Sequence, residues 1–275
     1  MSVVASANQV TAEWLTKTLN AAGFSGSVQD FSLQRIGEGQ VGENARFTLQ
    51  ADGDIPATVV GKFPSSDPTS RQVGVNLKNY AREVFFYATL AETIDTQTPE
   101  VYTTEFDPVS HDFVVLMEDL APGEQIDQMF ECSVDQAALA LEQLAKLHGP
   151  RWGDRRLASY PLLAESTAAA DMSSTFNAVS LEFSVRYGER LTTTEQTALN
   201  RLGEVQNAYH AVEYEPTLIH IDYRLDNMIF GGPRPLTVID WQSISLGCAL
   251  SDVSYFMGTS LSPERRADHV AQPLF

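Results

Sequence analysis

The apolar positions along the chain change their period near Asp119. Thr11 opens a helix whose stripe is Trp14, Leu15, Leu19 and Ala22, with Glu13 in its first turn and Gly23 at its end. Strand-like runs follow at Phe31–Ile36, Ala45–Gln50 and Ala57–Phe63, parted by a glycine-rich turn at Gly37–Asn44 and the tight turn Ala51-Asp52-Gly53-Asp54. This spacing predicts an antiparallel meander. Pro64–Ser70 reads as a polar loop, and a long helix is expected around Asn79–Ile94. Pro99–Thr103 and Phe113–Met117 add two strands, completing a sheet of about five. Beyond Asp119–Gly123 the pattern turns helical. Asp135 is expected to cap a helix with Leu139, Leu144, Leu147 and His148 on its stripe, stopped by Gly149-Pro150. Further helices are expected at Ala168–Tyr187 and Thr194–Tyr209, the second behind a capping box at Thr192 and Glu195. Short strands at Thr217–Ile219, Met228–Phe230 and Leu236–Ile239 precede a helix at Ala249–Gly258, while Ser262–Phe275 shows little helical patterning towards its end. A sheet-rich segment joined to a helix-rich one makes an α+β chain of two lobes, 1–119 and 120–275.

Composition narrows the function classes. The 275 residues are 43% hydrophobic, enough for a core, and fit one large domain or two lobes sharing a cleft. Asp plus Glu number 36 against 18 Lys plus Arg, a net charge of −18. That balance argues against nucleic acid and against docking on an anionic membrane. Cys132 and Cys248 form no CxxC pair, so neither a disulfide framework nor a cysteine zinc site is expected. No Lys or Arg precedes the first apolar stretch as in a secretory signal, and no run is long enough to span a bilayer. A soluble, cytoplasmic protein is the expectation; the sequence carries no signal of oligomeric state.

The sharpest local feature is His220-Ile221-Asp222-Tyr223-Arg224-Leu225-Asp226-Asn227, the pattern HxDxxxxN. One loop with this spacing can present an Asp that accepts the proton of an attacking hydroxyl and an Asn that coordinates magnesium. Ile239-Asp240-Trp241 places a second acid at the end of an apolar strand, where another magnesium ligand would sit. The bland alternative is a polar loop with a turn-forming Asp-Asn.

Three upstream features fit the same chemistry. Gly37-Glu38-Gly39-Gln40-Val41-Gly42 has the form GxGxxG, but strand follows strand here, unlike a dinucleotide fold. The glycines, Gly39 and Gly42 included, sit in a hairpin that could bend over phosphates or simply turn. Lys62 is one of only four lysines and lies in the apolar run Val59–Phe63. Alone it reads as a solvent-facing strand residue; with a carboxylate partner it would reach nucleotide phosphates. Glu83, amid apolar neighbours in Tyr80–Tyr87, is the suitable partner. The order is glycine hairpin, strand lysine, helix glutamate, apolar strand into Glu118-Asp119-Leu120, HxDxxxxN, then strand Asp. A kinase-like phosphotransferase requires that order.

At these residues the chain resembles the aminoglycoside phosphotransferase and choline kinase-like superfamily, in its broad phosphotransferase enzyme branch. Val59–Phe63, Tyr80–Tyr87, Val114–Leu120, Leu144–Trp152, His220–Phe230 and Val238–Met257 carry the resemblance. Protein kinases show Asp-Phe-Gly and a later Ala-Pro-Glu; here Trp241 follows Asp240 and no such triplet appears. The resemblance implies a bilobal protein-kinase-like fold, with a five-stranded antiparallel sheet and a helix in the first lobe and a mostly helical second lobe. It implies ATP and Mg2+ as cofactors and a small-molecule hydroxyl acceptor. Asp222 would be the catalytic base, and Asn227 and Asp240 would bind magnesium. Lys62 would touch the phosphates and pair with Glu83, and the backbone of Glu118–Leu120 would meet the adenine edge, with Met117 beside the base. Asp252 would brace the catalytic loop, while His220 and His148 would be structural. Two departures stand out: Ile221 occupies a position usually held by glycine, and few residues follow Asp240. The second departure raises an alternative, a kinase-fold nucleotide-binding or regulatory protein without turnover.

Overall fold

Alternation along two central strands decides which side chains face which helix. The computed structural model describes residues 3–37, 41–163, 172–210 and 212–270. Strands β1 (Val28–Ile36), β2 (Gly42–Ala51), β3 (Thr58–Pro64), β4 (Val101–Phe106) and β5 (Phe113–Glu118) form an antiparallel sheet in the order β1-β2-β3-β5-β4. In β3, Val59 and Phe63 pack with Leu15 and Leu19 of helix α1 (Ala12–Ala21), and Val114 and Leu116 of β5 join them. Val60, Val115 and Met117 face the other way, against Tyr80 of helix α3 (Asn79–Phe85). The pleat's period of two sorts the residues. Lys62 shares a strand parity with Val60, so its side chain is directed towards α3.

Helix α1 begins and ends as expected: Thr11 Oγ1 accepts from Trp14 N–H at 3.1 Å, and Gly23 takes φ +107° just past the end. Helix α2 (Pro68–Asn76) lies where the sequence suggested a loop running to Ser70. Asp67 accepts from Ser70 N–H at 2.8 Å and Pro68 opens the first turn, a start signal hidden among turn-forming residues. The long helix expected to Ile94 ends as α helix at Phe85 and continues as a π turn over Phe86–Leu90 and a 3₁₀ turn over Ala91–Thr93.

That π turn carries the chain into the second core. Phe86 and Leu90 are fully buried with Leu144, Leu147, Leu218, Tyr223, Met228, Val238, Trp241 and Phe256. Phe86 stacks on Trp241, rings 4.0 Å apart and 6° from parallel. Helix α4 (Val134–His148) supplies much of this core. Its cap is Ser133, not Asp135: Ser133 Oγ accepts from Gln136 N–H at 3.1 Å while Gln136 returns the bond to the Ser133 N–H at 2.8 Å. Asp135 lies in the first turn instead, where its charge favours the helix dipole. Helices α5 (Met172–Tyr187) and α6 (Thr193–His210) follow, with the Thr192–Glu195 capping box formed; residues 168–171 of the expected α5 start lie outside the described residues.

The remaining strands come in two small antiparallel sheets. β6 (Glu124–Gln125), β8 (Met228–Phe230) and β9 (Leu236–Val238) form one, and β7 (Thr217–Ile219) and β10 (Ser245–Gly247) the other. Helix α7 (Ala249–Ser260) closes the second core, and α8 (Pro263–Val270) follows where little helical pattern was legible. No helix among the described residues is long and apolar enough to cross a membrane.

Asp252 on α7 fixes the loop after β7. Its side chain is fully buried and accepts from His220 N–H and Ile221 N–H, each at 2.8 Å, and lies 3.0 Å from His148 Nε2 on α4. Ile221 is held at φ +72°, a left-handed conformation in which a β-branched residue costs on the order of 1–3 kcal/mol. This backbone is the physical reason that a glycine suits the position. Truncating Asp252→Ala strands buried donors on three residues and is expected to cost about 3–5 kcal/mol. Phe86→Ala empties a stacked core position and is expected to cost about 3–5 kcal/mol as well. Urea midpoints at constant m-value check both; a change under about 1 kcal/mol in either variant would contradict the role given to that residue.

Candidate active site

Two lobes meet at Lys62. Its Nζ lies 2.6 Å from Glu83 Oε2 and 2.8 Å from Asp240 Oδ1, and it is only 7% exposed. The Asp240 contact is a hydrogen bond; the Glu83 contact is an ion pair whose acceptor lies off the bonding direction. Glu83 is on the face of α3 that also carries Tyr80, and it is almost completely buried. Burial alone would lower the Lys62 ammonium, but Asp240 and Glu83 outweigh it and hold it above the ordinary lysine range. Burial raises Glu83 to about 7, with Lys62 pulling down and Asp240 pushing up. The two shifts point opposite ways for one pair. Lys62 stays charged because it faces two carboxylates.

The residues of the His220–Asn227 loop gather beneath. Asn227 Nδ2 donates to the Asp222 carbonyl at 2.7 Å and to Asp222 Oδ2 at 2.9 Å, which turns the Asn227 Oδ1 the other way. Asn227 and Asp240 are brought together by the β8–β9 hairpin: Met228 pairs with Val238, and Ile239 N–H donates to the Asn227 carbonyl at 3.0 Å. Asp240 has a left-handed backbone at φ +64°, and its Oδ2 lies 3.3 Å from Gln242 Nε2. His220 is buried, with Nε2 at 3.1 Å from the Ile239 carbonyl and its ring against Trp241. It anchors the loop from inside and, like His148, is buried. Hard oxygen donors from one amide and one carboxylate suit magnesium, which keeps water and phosphate oxygens for its other positions. Among the described residues no group of three or more His, Cys, Asp or Glu stands ready to hold a metal.

The other expected residues fall around this centre. Gly42 lies directly over Lys62: a Cβ there would come 3.3 Å from Lys62 Cε and 3.3 Å from the Phe63 carbonyl. It begins β2, paired with Pro64, and is not part of the turn itself. Gly39 lies outside the described residues. Glu118 ends β5; its N–H donates to the Glu100 carbonyl at 2.9 Å and its carboxylate accepts from Glu100 N–H at 2.6 Å and from Arg234. Leu120 follows, its carbonyl accepting from Gly123 N–H at 2.8 Å. Met117 is buried against Val60 and Tyr80.

Several residues of the site have no counterpart in the sequence reading. Arg46 of β2 grips Asp119 through two bonds of 2.7 and 2.9 Å. Burial opposes the Asp119 charge, but the Arg46 fork and the Ala121 N–H outweigh it and hold its carboxyl below the ordinary range. Arg224, Tyr255 and Gln128 surround Asp222 and Asp226. The spacing of Arg224, two residues after Asp222, was the one available signal; the others come from distant segments.

Comparisons with known proteins bear on the fold and the family. Among solved structures, the GDP complex of wild-type aminoglycoside 2'-phosphotransferase-IIIa is 18% identical, with 85% of this chain and 73% of that one covered at a TM-score of 0.54. The GDP and kanamycin complex of APH(2")-IIIa is 17% identical, covering 92% and 80% with a TM-score of 0.53. The gentamicin complex of APH(2")-IIa is 20% identical, covering 91% and 74%, also at 0.53. At these identities the likeness is one of fold, and it establishes the α+β kinase-like architecture. No curated protein matches the sequence. The model of the phosphotransferase enzyme family matches residues 32–274, nearly the whole chain, and the protein belongs to that family.

Proposed function

We propose that the protein is an ATP- and magnesium-dependent small-molecule kinase that transfers the γ-phosphoryl group to a hydroxyl. The observation that carries this is the ion cluster in which Lys62 bonds Asp240 across 178 residues of chain while pairing with the buried Glu83. Such a cluster is costly unless the lysine is needed at a fixed point, and a nucleotide phosphate is the ligand that a lysine so placed serves. In this reading Gly39 and Gly42 bend over the phosphates, and the backbone at Glu118 and Leu120 meets the adenine edge. Asp222 orients the acceptor hydroxyl and takes its proton, while Asn227 and Asp240 hold magnesium. When bound, the metal neutralises charge on the phosphate oxygens.

The chain's own residues do the positioning. Asn227 locks one oxygen of Asp222, Asp252 locks the loop backbone, and Lys62 is held where it meets both lobes. The division falls at Asp119–Leu120, between a nucleotide lobe of residues 1–119 and an acceptor lobe of residues 120–275. Acceptors are small hydroxyl compounds of the kind that aminoglycoside phosphotransferases and choline kinases use. The net charge of −18 supports a small-molecule partner over nucleic acid, and two unpaired thiols suit the cytoplasm.

Asp222→Asn is expected to lower phosphoryl transfer by about 10²–10⁴-fold while ATP still binds, and Asp240→Ala to abolish it, with both variants folded by circular dichroism. Turnover near the wild-type rate in either variant rules the assignment out. ATP with magnesium at about 100 times Kd is expected to add about 2.7 kcal/mol of stability and raise Tm by roughly 5–10 °C. A shift without ATP consumption across a panel of hydroxyl compounds would identify a nucleotide-binding protein without turnover.

A further inference from the structure

The two oxygens of Asp222 are not equivalent. Oδ2 accepts from Asn227 Nδ2 at 2.9 Å, which leaves Oδ1 for an incoming hydroxyl. That oxygen is covered. Arg224 Nε lies 2.9 Å from Oδ1, and the Tyr255 hydroxyl donates to it across 3.5 Å. Despite its distance, Arg224 Nε forms no aligned hydrogen bond. The contact is one of charge without an aligned bond, and Nε itself is buried. The other edge of the guanidinium is better anchored. Nη1 donates to Gln128 Oε1 and lies 3.4 Å from Asp226 Oδ2, and Asp226 Oδ1 accepts from Gln128 N–H at 2.9 Å. Arg224 therefore has one hydrogen-bonded edge and one that faces Asp222 without an aligned bond. That second edge covers the oxygen that the proposed reaction needs.

We propose that Arg224 is a catalytic residue that exchanges partners. Its guanidinium covers Asp222 Oδ1 in the resting chain and turns to the oxygens of the γ-phosphoryl group when nucleotide and acceptor are bound. This rests on the phosphoryl-transfer reading. In the transfer step the acceptor oxygen forms a bond to the γ-phosphorus as the bond to the β,γ-bridging oxygen breaks, its electron pair leaving with ADP. The hydroxyl proton passes to Asp222 Oδ1. A planar fork of N–H donors matches phosphoryl oxygens better than a point charge does, and charge on those oxygens is what a transferring group must have stabilised. One rotation then does two things: it exposes the base and clamps the group in flight. Lys62 cannot take this part, since Glu83 and Asp240 hold it on the nucleotide side. Without a phosphoryl group the base stays covered, so the arrangement also couples base exposure to nucleotide occupancy.

The test measures ATP turnover by the full chain with magnesium and whichever acceptor, water included, gives the wild type its fastest rate in a panel of hydroxyl compounds. Arg224→Ala is expected to lower kcat by about 10²–10³-fold while KM for ATP moves by less than about 3-fold. Arg224→Lys should recover part of the loss, and millimolar guanidinium should restore part of the rate to Arg224→Ala while leaving the wild type unchanged. A merely structural arginine would show neither recovery. Wild-type kcat in Arg224→Ala, a loss confined to KM, or failure of both recoveries would overturn the assignment while leaving phosphoryl transfer intact. A wild-type chain that consumes no ATP would overturn the transfer reading itself, and this assignment with it.

Discussion

Lys62 between Glu83 and Asp240 is the contact on which the relation of the two lobes depends. Removing Lys62 would leave two carboxylates facing each other without a cation in a buried setting, at a cost of about 3–5 kcal/mol. The cluster constrains three elements together: β3 in the sheet, α3 beneath it, and Asp240, two residues after β9, in the other lobe. An apolar contact runs beside it. Phe86 lies three residues after Glu83, and Trp241 directly follows Asp240, so the stacked rings and the ion cluster join the same two segments. The rings keep water from one side, which strengthens the charge interaction next to them. Neither contact is local, and each makes the other more specific.

The lower half of the site is held by a different logic. Asp252 is an anion with no cation as obligatory partner; it is satisfied by two backbone N–H groups and a histidine. This lets it fix a backbone, not a side chain. The fixed backbone includes Ile221 in a left-handed conformation, and Asp222 follows immediately. Tyr223 then turns inward, its hydroxyl donating to the Ala140 carbonyl at 2.7 Å on α4. Asp222 is thus pinned between a buried neighbour on one side and a strained one on the other. The strain is local, and the restraints come from α4 and α7, far away in sequence. A carboxylate so held loses little freedom when a substrate arrives, which is the benefit of positioning before binding.

Much of this was legible in the sequence because its signals are periodic or local. The five-residue apolar run of β5 and the apolar run of β3 set the sheet, and HxDxxxxN with the following strand Asp set the loop and hairpin that join Asn227 to Asp240. The strands Thr217–Ile219 and Met228–Phe230 have the expected bounds. What escaped has identifiable causes. Helix α2 begins in Asp67-Pro68, which also signals a turn, and carries no strong apolar stripe. The helix from Asn79 changes to a π turn at Phe86 because tertiary packing on Trp241 overrides its regular geometry. Ser133 and Asp135 are both acceptable caps, and only the reciprocal bond with Gln136 selects between them. Arg46, Arg234 and Tyr255 joined the site through contacts across 73, 116 and 33 residues, which no window along the chain can read.

Those distant contacts give the acidic composition a structural meaning. With 36 acidic residues against 18 Lys and Arg, most carboxylates have no cation to spare, and repulsion between them works against a compact chain. Cations are nevertheless concentrated where the lobes join: Arg46 on Asp119, Arg234 on Glu118, Lys62 on Glu83 and Asp240, and Arg224 on Asp222 and Asp226. Three of these link residues more than seventy positions apart, so each ties segments that like charge would otherwise separate. The fourth is local and lies against the carboxylates of Asp222 and Asp226. A site lined by Glu83, Asp222, Asp226 and Asp240 repels a phosphate unless positive charge enters with it or is released from an existing pair. On the proposed function, a phosphorylated ligand would enter this junction only with its counter-charge.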